Sequence, residues 1–279
     1  MNLLNIIQEI EEIDPEFQDR INPRRAAIKN MTGFGSKIAM AAMPFALGSL
    51  FKKAYGQTTT GALGVLNFAL TLEYLEYEFY RAAVATTGVI PAGAPLAALT
   101  KIREHEMDHV NFLKTAISAA GGVPVTPLVA ADFDFTAGGT FPDVFTKYAT
   151  LLAVAGTFED TGVRAYKGQA PFLMGTPYLT AALNIHSVEG RHASHIRQMR
   201  KNNGAPNIKP WITGGNDTGV PAVAASFAGE ENIIQATVNI TSLKSVNGNI
   251  SFNAATESFD EPLTKDAVLK IVGPFFKKK

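Results

Sequence analysis

Two stretches of this sequence pair a carboxylate with an imidazole three residues on: Glu106-Met107-Asp108-His109 and Glu189-Gly190-Arg191-His192. On an α-helix such a pair shares one face, so both side chains can serve a single point. Two further glutamates have matching company. Glu73 is followed seven residues later by Tyr80, and Glu159 by Tyr166. Acids and imidazoles together are ligands for metal ions, and the chain contains no cysteine, so any metal must be held by His and carboxylates alone. The same absence excludes disulfides, thiolate catalysis and Cys-held iron–sulfur clusters.

Four long helical segments are expected to carry these residues. They span roughly 60–87, 95–120, 141–168 and 177–203. Pro95 suits a first turn, Gly121-Gly122 a stop, Pro142 a start, Thr176-Pro177 a cap and first position, and Asn203-Gly204 another stop. Short loops join the first helix to the second and the third to the fourth, so each pair should be antiparallel. In such hairpins the spacings Glu73 to Glu106 and Glu159 to Glu189 bring the paired glutamates to similar heights. About twenty residues rich in Gly, Pro and Thr join the two pairs. Crossing a ~35 Å bundle takes at least ~11 extended residues, so this connection can run from end to end.

The set Glu73, Glu106-x-x-His109, Glu159, Glu189-x-x-His192 resembles the dinuclear carboxylate site of the ferritin-like superfamily. The stretches LNFALTLEYLEYEFY and SFDEPLTKDAVLKIV resemble the bacterial ferritin-like proteins grouped with desiccation-related proteins. The resemblance covers residues 60–203 and, loosely, the tail. It implies an all-α core, a ferritin-like four-helix bundle with a long crossover between helices 2 and 3. It also implies two metal ions, iron first, with manganese or zinc as alternatives. Four carboxylates cancel the charge of two divalent ions, whereas uncompensated carboxylates in an apolar core are very costly. Glu106 and Glu189 are the expected bridges, Glu73 and Glu159 the terminal ligands.

Competing readings attach to several of these residues. Glu76, one turn from Glu73, could replace it as ligand; the matched tyrosine spacing selects Glu73. Glu76 and Glu78 otherwise read as solvated acids. Tyr80 and Tyr166 read as core residues beside the site, with a redox role as the sharper alternative. His186 and His195 read as surface or outer-layer residues. Asp108 and Asp160 neighbour the ligands and could orient a histidine. His105-Glu106-Met107-Asp108-His109 also matches the His-Glu-x-x-His helix of zinc proteases, with Glu106 as base. That reading leaves Glu73, Glu159 and the second Glu-x-x-His unexplained.

The rest of the chain divides in two. Residues 1–57 hold Arg24-Arg25, an apolar stretch Met31–Phe51 and the small residues Ala54 and Gly56. This resembles a twin-arginine export signal, with maturation near Gln57 and a periplasmic or extracellular destination. The alternative is a helical arm that stays attached. Lys37 interrupts the apolar stretch, so no stable membrane span is expected after processing. Residues 58–204 form the bundle and 205–279 an irregular extension. Asn247-Gly248 is suited to turning a short β-hairpin, and Thr264 to capping a last helix at 265–272.

Acids and bases balance at 25 each, a formal net charge of zero, which argues against a general nucleic-acid or anionic-membrane binder. The expected function is a non-haem di-iron oxidoreductase acting on Fe(II) with O2 or peroxide. A metal-stapled protein of desiccation or stress protection is the alternative, and assembly into a homo-oligomer is open to either.

Overall fold

Four helices dominate: α1 (Thr59–Ala85), α2 (Ala94–Ala119), α3 (Tyr148–Gln169) and α4 (Tyr178–Asn202). The computed structural model describes residues 59–277 apart from 216–218 and 247. The export segment, and the arm that is its alternative, lie outside the described residues. Helix ends fall within two residues of those expected, except at the start of α3. There Phe141 and Val144 are buried, and Val144 and Lys147 donate to the carbonyls of Phe141 and Asp143. Residues 141–147 therefore fold as packed turns, and the helix begins only at Tyr148.

Local chemistry sets the other ends. After α2, Gly121 takes φ +78°, a left-handed conformation natural to glycine. Its N–H reaches the Ser118 carbonyl and that of Gly122 the Ile117 carbonyl, the paired bonds of a Schellman stop. At the start of α4 the cap position is Pro177, one residue later than expected, and the Thr176 hydroxyl just before it accepts from the Tyr178 N–H.

Helices α1 and α2 pack as one antiparallel pair, α3 and α4 as the other. The crossover runs along the bundle between them. It begins against Asn67, which donates to the Val123 carbonyl and accepts from Val125 N–H. It ends among Phe133, Phe135 and Phe145, of which Phe135 and Phe145 pack on Phe79 and Phe133 stacks on Phe135. Asn67 and Phe79 are twelve residues apart on α1, about 18 Å at 1.5 Å per residue. This is the expected ferritin-like architecture.

Residues 205–277 are folded onto the bundle. They hold two antiparallel β-ribbons, β1 (Ile234–Gln235) with β2 (Val238–Asn239) and β3 (Lys244–Ser245) with β4 (Gly248–Asn249). The second is the expected hairpin, shifted so that Gly248 opens the returning strand. The first is unforeseen: its turn is Ala236-Thr237, both at positive φ, where Asn or Gly is usual. Helices α5 (Phe252–Thr256) and α6 (Lys265–Val272) follow, and the Thr264 hydroxyl caps α6 at Ala267 N–H as anticipated.

The extension explains why α3 is buried on every side from Leu151 to Tyr166. It covers the face that a bare bundle would show to water. Arg164 of α3 donates to the carbonyls of Ser226, Ala228 and Glu261 and pairs with buried Glu230 at 2.8 Å. Leu263 N–H bonds the Arg164 carbonyl, and the chain passes so near Gly168 that a Cβ there would meet the Leu263 carbonyl at 1.9 Å. Asp134 N–H reaches the Phe275 carbonyl, and Phe133 pairs with Phe276, tying crossover to extension. Among the described residues no helix is long and apolar enough to cross a membrane.

Candidate metal centre

Each of the four bundle helices carries acids to the same depth. Glu73 from α1, Glu106 and His109 from α2, Glu159 from α3, and Glu189 and His192 from α4 converge in the interior. All four glutamates have no measurable exposure. The six residues form two overlapping groups whose ligating atoms lie within 4.8 Å of one another: Glu73, Glu106, His109 and Glu189, then Glu106, Glu159, Glu189 and His192.

The shared members face both ways. His109 Nδ1 lies 3.1 Å from Glu73 Oε2, 3.1 Å from Glu106 Oε2 and 3.2 Å from Glu189 Oε1. His192 Nδ1 lies 2.9 Å from Glu106 Oε1, 3.3 Å from Glu159 Oε2 and 3.9 Å from Glu189 Oε2. Thus Glu106 and Glu189 each turn one oxygen to each histidine, while Glu73 and Glu159 each serve one.

One N–H cannot satisfy three carboxylate oxygens. Accordingly Glu106 Oε1, Glu159 Oε2, both oxygens of Glu189 and His192 Nδ1 have no hydrogen-bond partner despite their closeness. Buried polar atoms are ordinarily paired, and each such exception calls for a cause. Atoms that converge without bonding to one another fit cations placed between them, and the carboxylate–imidazole set suits iron, manganese or zinc.

Electrostatics agree. Without a cation, burial pushes the Glu106 carboxyl up to about 7, against the pull of both histidines. Burial and then Glu106 drive Glu189 well above the carboxylate range. Burial disfavours charged imidazole, but the facing acids outweigh it, raising His109 and taking His192 to about 11. The cluster retains protons that a divalent cation would displace.

Tyrosines pair across the bundle. Tyr80 of α1 donates to Glu159 Oε1 of α3, and Tyr166 of α3 donates to Glu73 of α1. Burial raises both phenols well above their ordinary value, with Glu159 and Glu73 the next causes, so each remains a donor.

Several neighbours differ from expectation. Glu76 and Glu78 are both buried rather than solvated. Glu78 pairs with Arg81 at 2.6 Å. Glu76 lies outside both groups of converging atoms; burial and then Glu189 raise its carboxyl well above the usual range. Gly162 keeps room for it, since a Cβ there would stand 3.1 Å from Glu76 Oε1 and 3.4 Å from Glu189 Oε2. Asp160 is engaged by Arg197 instead of a histidine, at 3.1 Å, and Asp108 is exposed. His195 is exposed and His186 half-buried.

The residue that does meet a site histidine is His105. Its Nδ1 lies 2.9 Å from His192 Nε2, with the rings stacked 13° from parallel. With Nδ1 of His192 facing the acids, this contact sets which nitrogen turns inward. His105 thus meets His192, whereas His109 faces Glu73, Glu106 and Glu189. The sequence signal for this was His105 itself, one residue before the first Glu-x-x-His.

The family described as "Ferritin-like domain" matches residues 61–202, just over half of the chain. The chain belongs to the ferritin-like domain family. The match covers the four bundle helices and stops where the extension begins. Comparisons with curated proteins and with solved structures gave no match. This ferritin-like protein therefore presents a bundle with a buried Glu/His group positioned for metal.

Proposed function

We propose that this ferritin-like protein holds two iron ions between Glu73, Glu106, His109, Glu159, Glu189 and His192 and oxidises Fe(II) with O2 or peroxide. The observation that carries the reading is the two-way spread of Glu106 and Glu189 between the histidines, with their oxygens otherwise unpartnered. Glu73 and Glu159 would complete one ion each. Bound iron would supply the electrons for this chemistry. With Fe(II) as substrate, the balance would be two Fe(II), one O2 and two protons to two Fe(III) and one H2O2, or two Fe(II), one H2O2 and two protons to two Fe(III) and two waters.

The chain's own residues set the conditions for this. Tyr80 and Tyr166 donate to the two terminal acids and fix their rotamers. His105 fixes His192. Glu76, buried inside the bundle with its carboxyl raised by burial and then by Glu189, is a further acid close to the site. The helices and extension exclude bulk water from the acids.

The test is metal content of protein purified without chelator, then oxygen and peroxide consumption on adding Fe(II). Two irons per chain and consumption of either oxidant are expected. Two bound irons with no consumption would leave a metal-stapled bundle and end the oxidase reading.

The paired arginines and Ala54-Tyr55-Gly56 support export of the mature chain. N-terminal sequencing of protein from the native source should begin near Gln57. An intact 1–57 segment in a cytosolic fraction would reject this.

A further inference from the structure

An apolar pocket opens inside the bundle beside the buried acids, a slot of about 20 Å³. Its place follows from helix register. Ala69 lies one turn before Glu73, Leu113 one turn after His109 and Ile185 one turn before Glu189, and all three line it. Four residues rise about 6 Å, so the pocket lies directly under the layer of acids. Tyr166 joins the two: its ring lines the pocket and its hydroxyl donates to Glu73. The other end of the acid layer is closed by packed rings, Phe79 against Tyr80, Phe135 and Phe158. Phe112, 43% exposed, stands at the rim.

The walls restrict what can use this path. Apart from Gln169 and the hydroxyls of Tyr166 and Tyr178, the lining side chains are hydrocarbon, and the Tyr166 hydroxyl is already engaged. The slot is narrow, with room for little beyond one small molecule at a time. Apolar cavities stay dry and take up apolar guests, because water needs two to four polar partners. Hydrogen peroxide, a donor and acceptor at both ends, meets the same penalty. Dioxygen, small and apolar, does not.

We infer that this pocket is the entry path of dioxygen to the acid layer, making O2 rather than peroxide the oxidant that this side of the bundle admits. The inference rests on the oxidase reading. The entering O2 would take two electrons from two Fe(II) as substrate and two protons, and leave as H2O2.

Xenon is the probe, applied to the full chain without metal. It should occupy the pocket in xenon-pressurised crystals and shift 129Xe resonances. Ala69→Leu and Ala182→Leu fill the slot from opposite walls and should each abolish xenon uptake, melting temperatures being followed alongside. With iron added, each should slow O2-driven Fe(II) oxidation about tenfold while peroxide-driven oxidation is retained, a difference worth one power of ten in rate. Two variants guard against one that fails to fold. Xenon absent from the wild-type pocket overturns the inference. So does an O2 rate unchanged in folded, xenon-free variants, or an equal slowing of both oxidants. Failure of the wild type to oxidise Fe(II) with either oxidant overturns the oxidase reading and this inference together, and is thus told apart from failure of the pocket alone.

Discussion

The Tyr80 hydroxyl lies 2.5 Å from Glu159 Oε1, across the bundle from the glutamate in its own helix. Tyr166 makes the reciprocal contact to Glu73. Because α1 and α3 run in opposite directions, the same seven-residue spacing on each helix produces a crossed pair. Each tyrosine pins the terminal acid of the other half-site.

Tyr80→Phe and Tyr166→Phe should therefore be equivalent lesions. Each leaves a buried carboxylate without its donor, a loss of about 1.5–3 kcal/mol for a bond to a charged group. Metal affinity should fall about 10- to 100-fold, as for other partners of metal ligands. Competition titration with a chromophoric chelator and thermal melts measure both. An effect confined to one tyrosine would contradict the crossed arrangement.

The histidines should rank in a fixed order. His109→Ala and His192→Ala each remove a nitrogen from one half-site and should each cost one metal ion, leaving the bundle folded. His105→Ala removes only the partner of His192 and should weaken that half-site without emptying it. Anaerobic Co(II) titration followed by absorption spectra gives stoichiometry and ligand field for each half-site. If His105→Ala proved as damaging as His109→Ala, while Glu189→Ala and His192→Ala were silent, the two histidines of His105-x-x-x-His109 would share an ion after all.

The pH dependence should change sign with metal. Glu106 is raised from 4.5 to about 7 and His192 from 6.5 to about 11 in the metal-free fold. Glu76 and Glu189 are raised too. Between each pair of values the folded state binds more protons than the unfolded chain, so stability must fall as pH rises. The Glu106 contribution is full below 4.5 and gone above 7; the His192 contribution is full below 6.5 and gone above 11. Urea unfolding in chelator at about pH 5, 7 and 9 should show stability declining throughout. Metal affinity should instead rise with pH, and calorimetry in buffers of different ionisation enthalpy should show proton release on binding.

The extension should behave as part of the core. Arg164→Ala leaves Glu230 buried without its cation and should cost about 3–5 kcal/mol. Gly168→Ala drives a methyl into the Leu263 carbonyl and should displace the chain there. Both should lower the melting temperature and open residues 205–277 to limited proteolysis. Cleavage at wild-type rates in both variants would show the extension to be an independent appendage.

Much of this protein is determined by local rules. Helical spacing alone put Glu106 with His109 and Glu189 with His192, because i and i+3 share a face whatever the rest of the chain does. Pro95, the Gly121-Gly122 pair and Thr264 set their helix ends by their own backbone and hydroxyl chemistry. What local rules could not decide was which atoms meet across helices. Tyr80 choosing Glu159 over Glu73, His105 turning to His192, Asp160 taken by Arg197 and Glu76 buried beside Glu189 all depend on helix rotation and relative height. The late start of α3 and the clasp of Arg164 depend on segments distant in sequence that bury Phe141 and cover α3. Periodicity identifies the face a residue occupies; only packing, by desolvating one set of partners together, decides what that face meets.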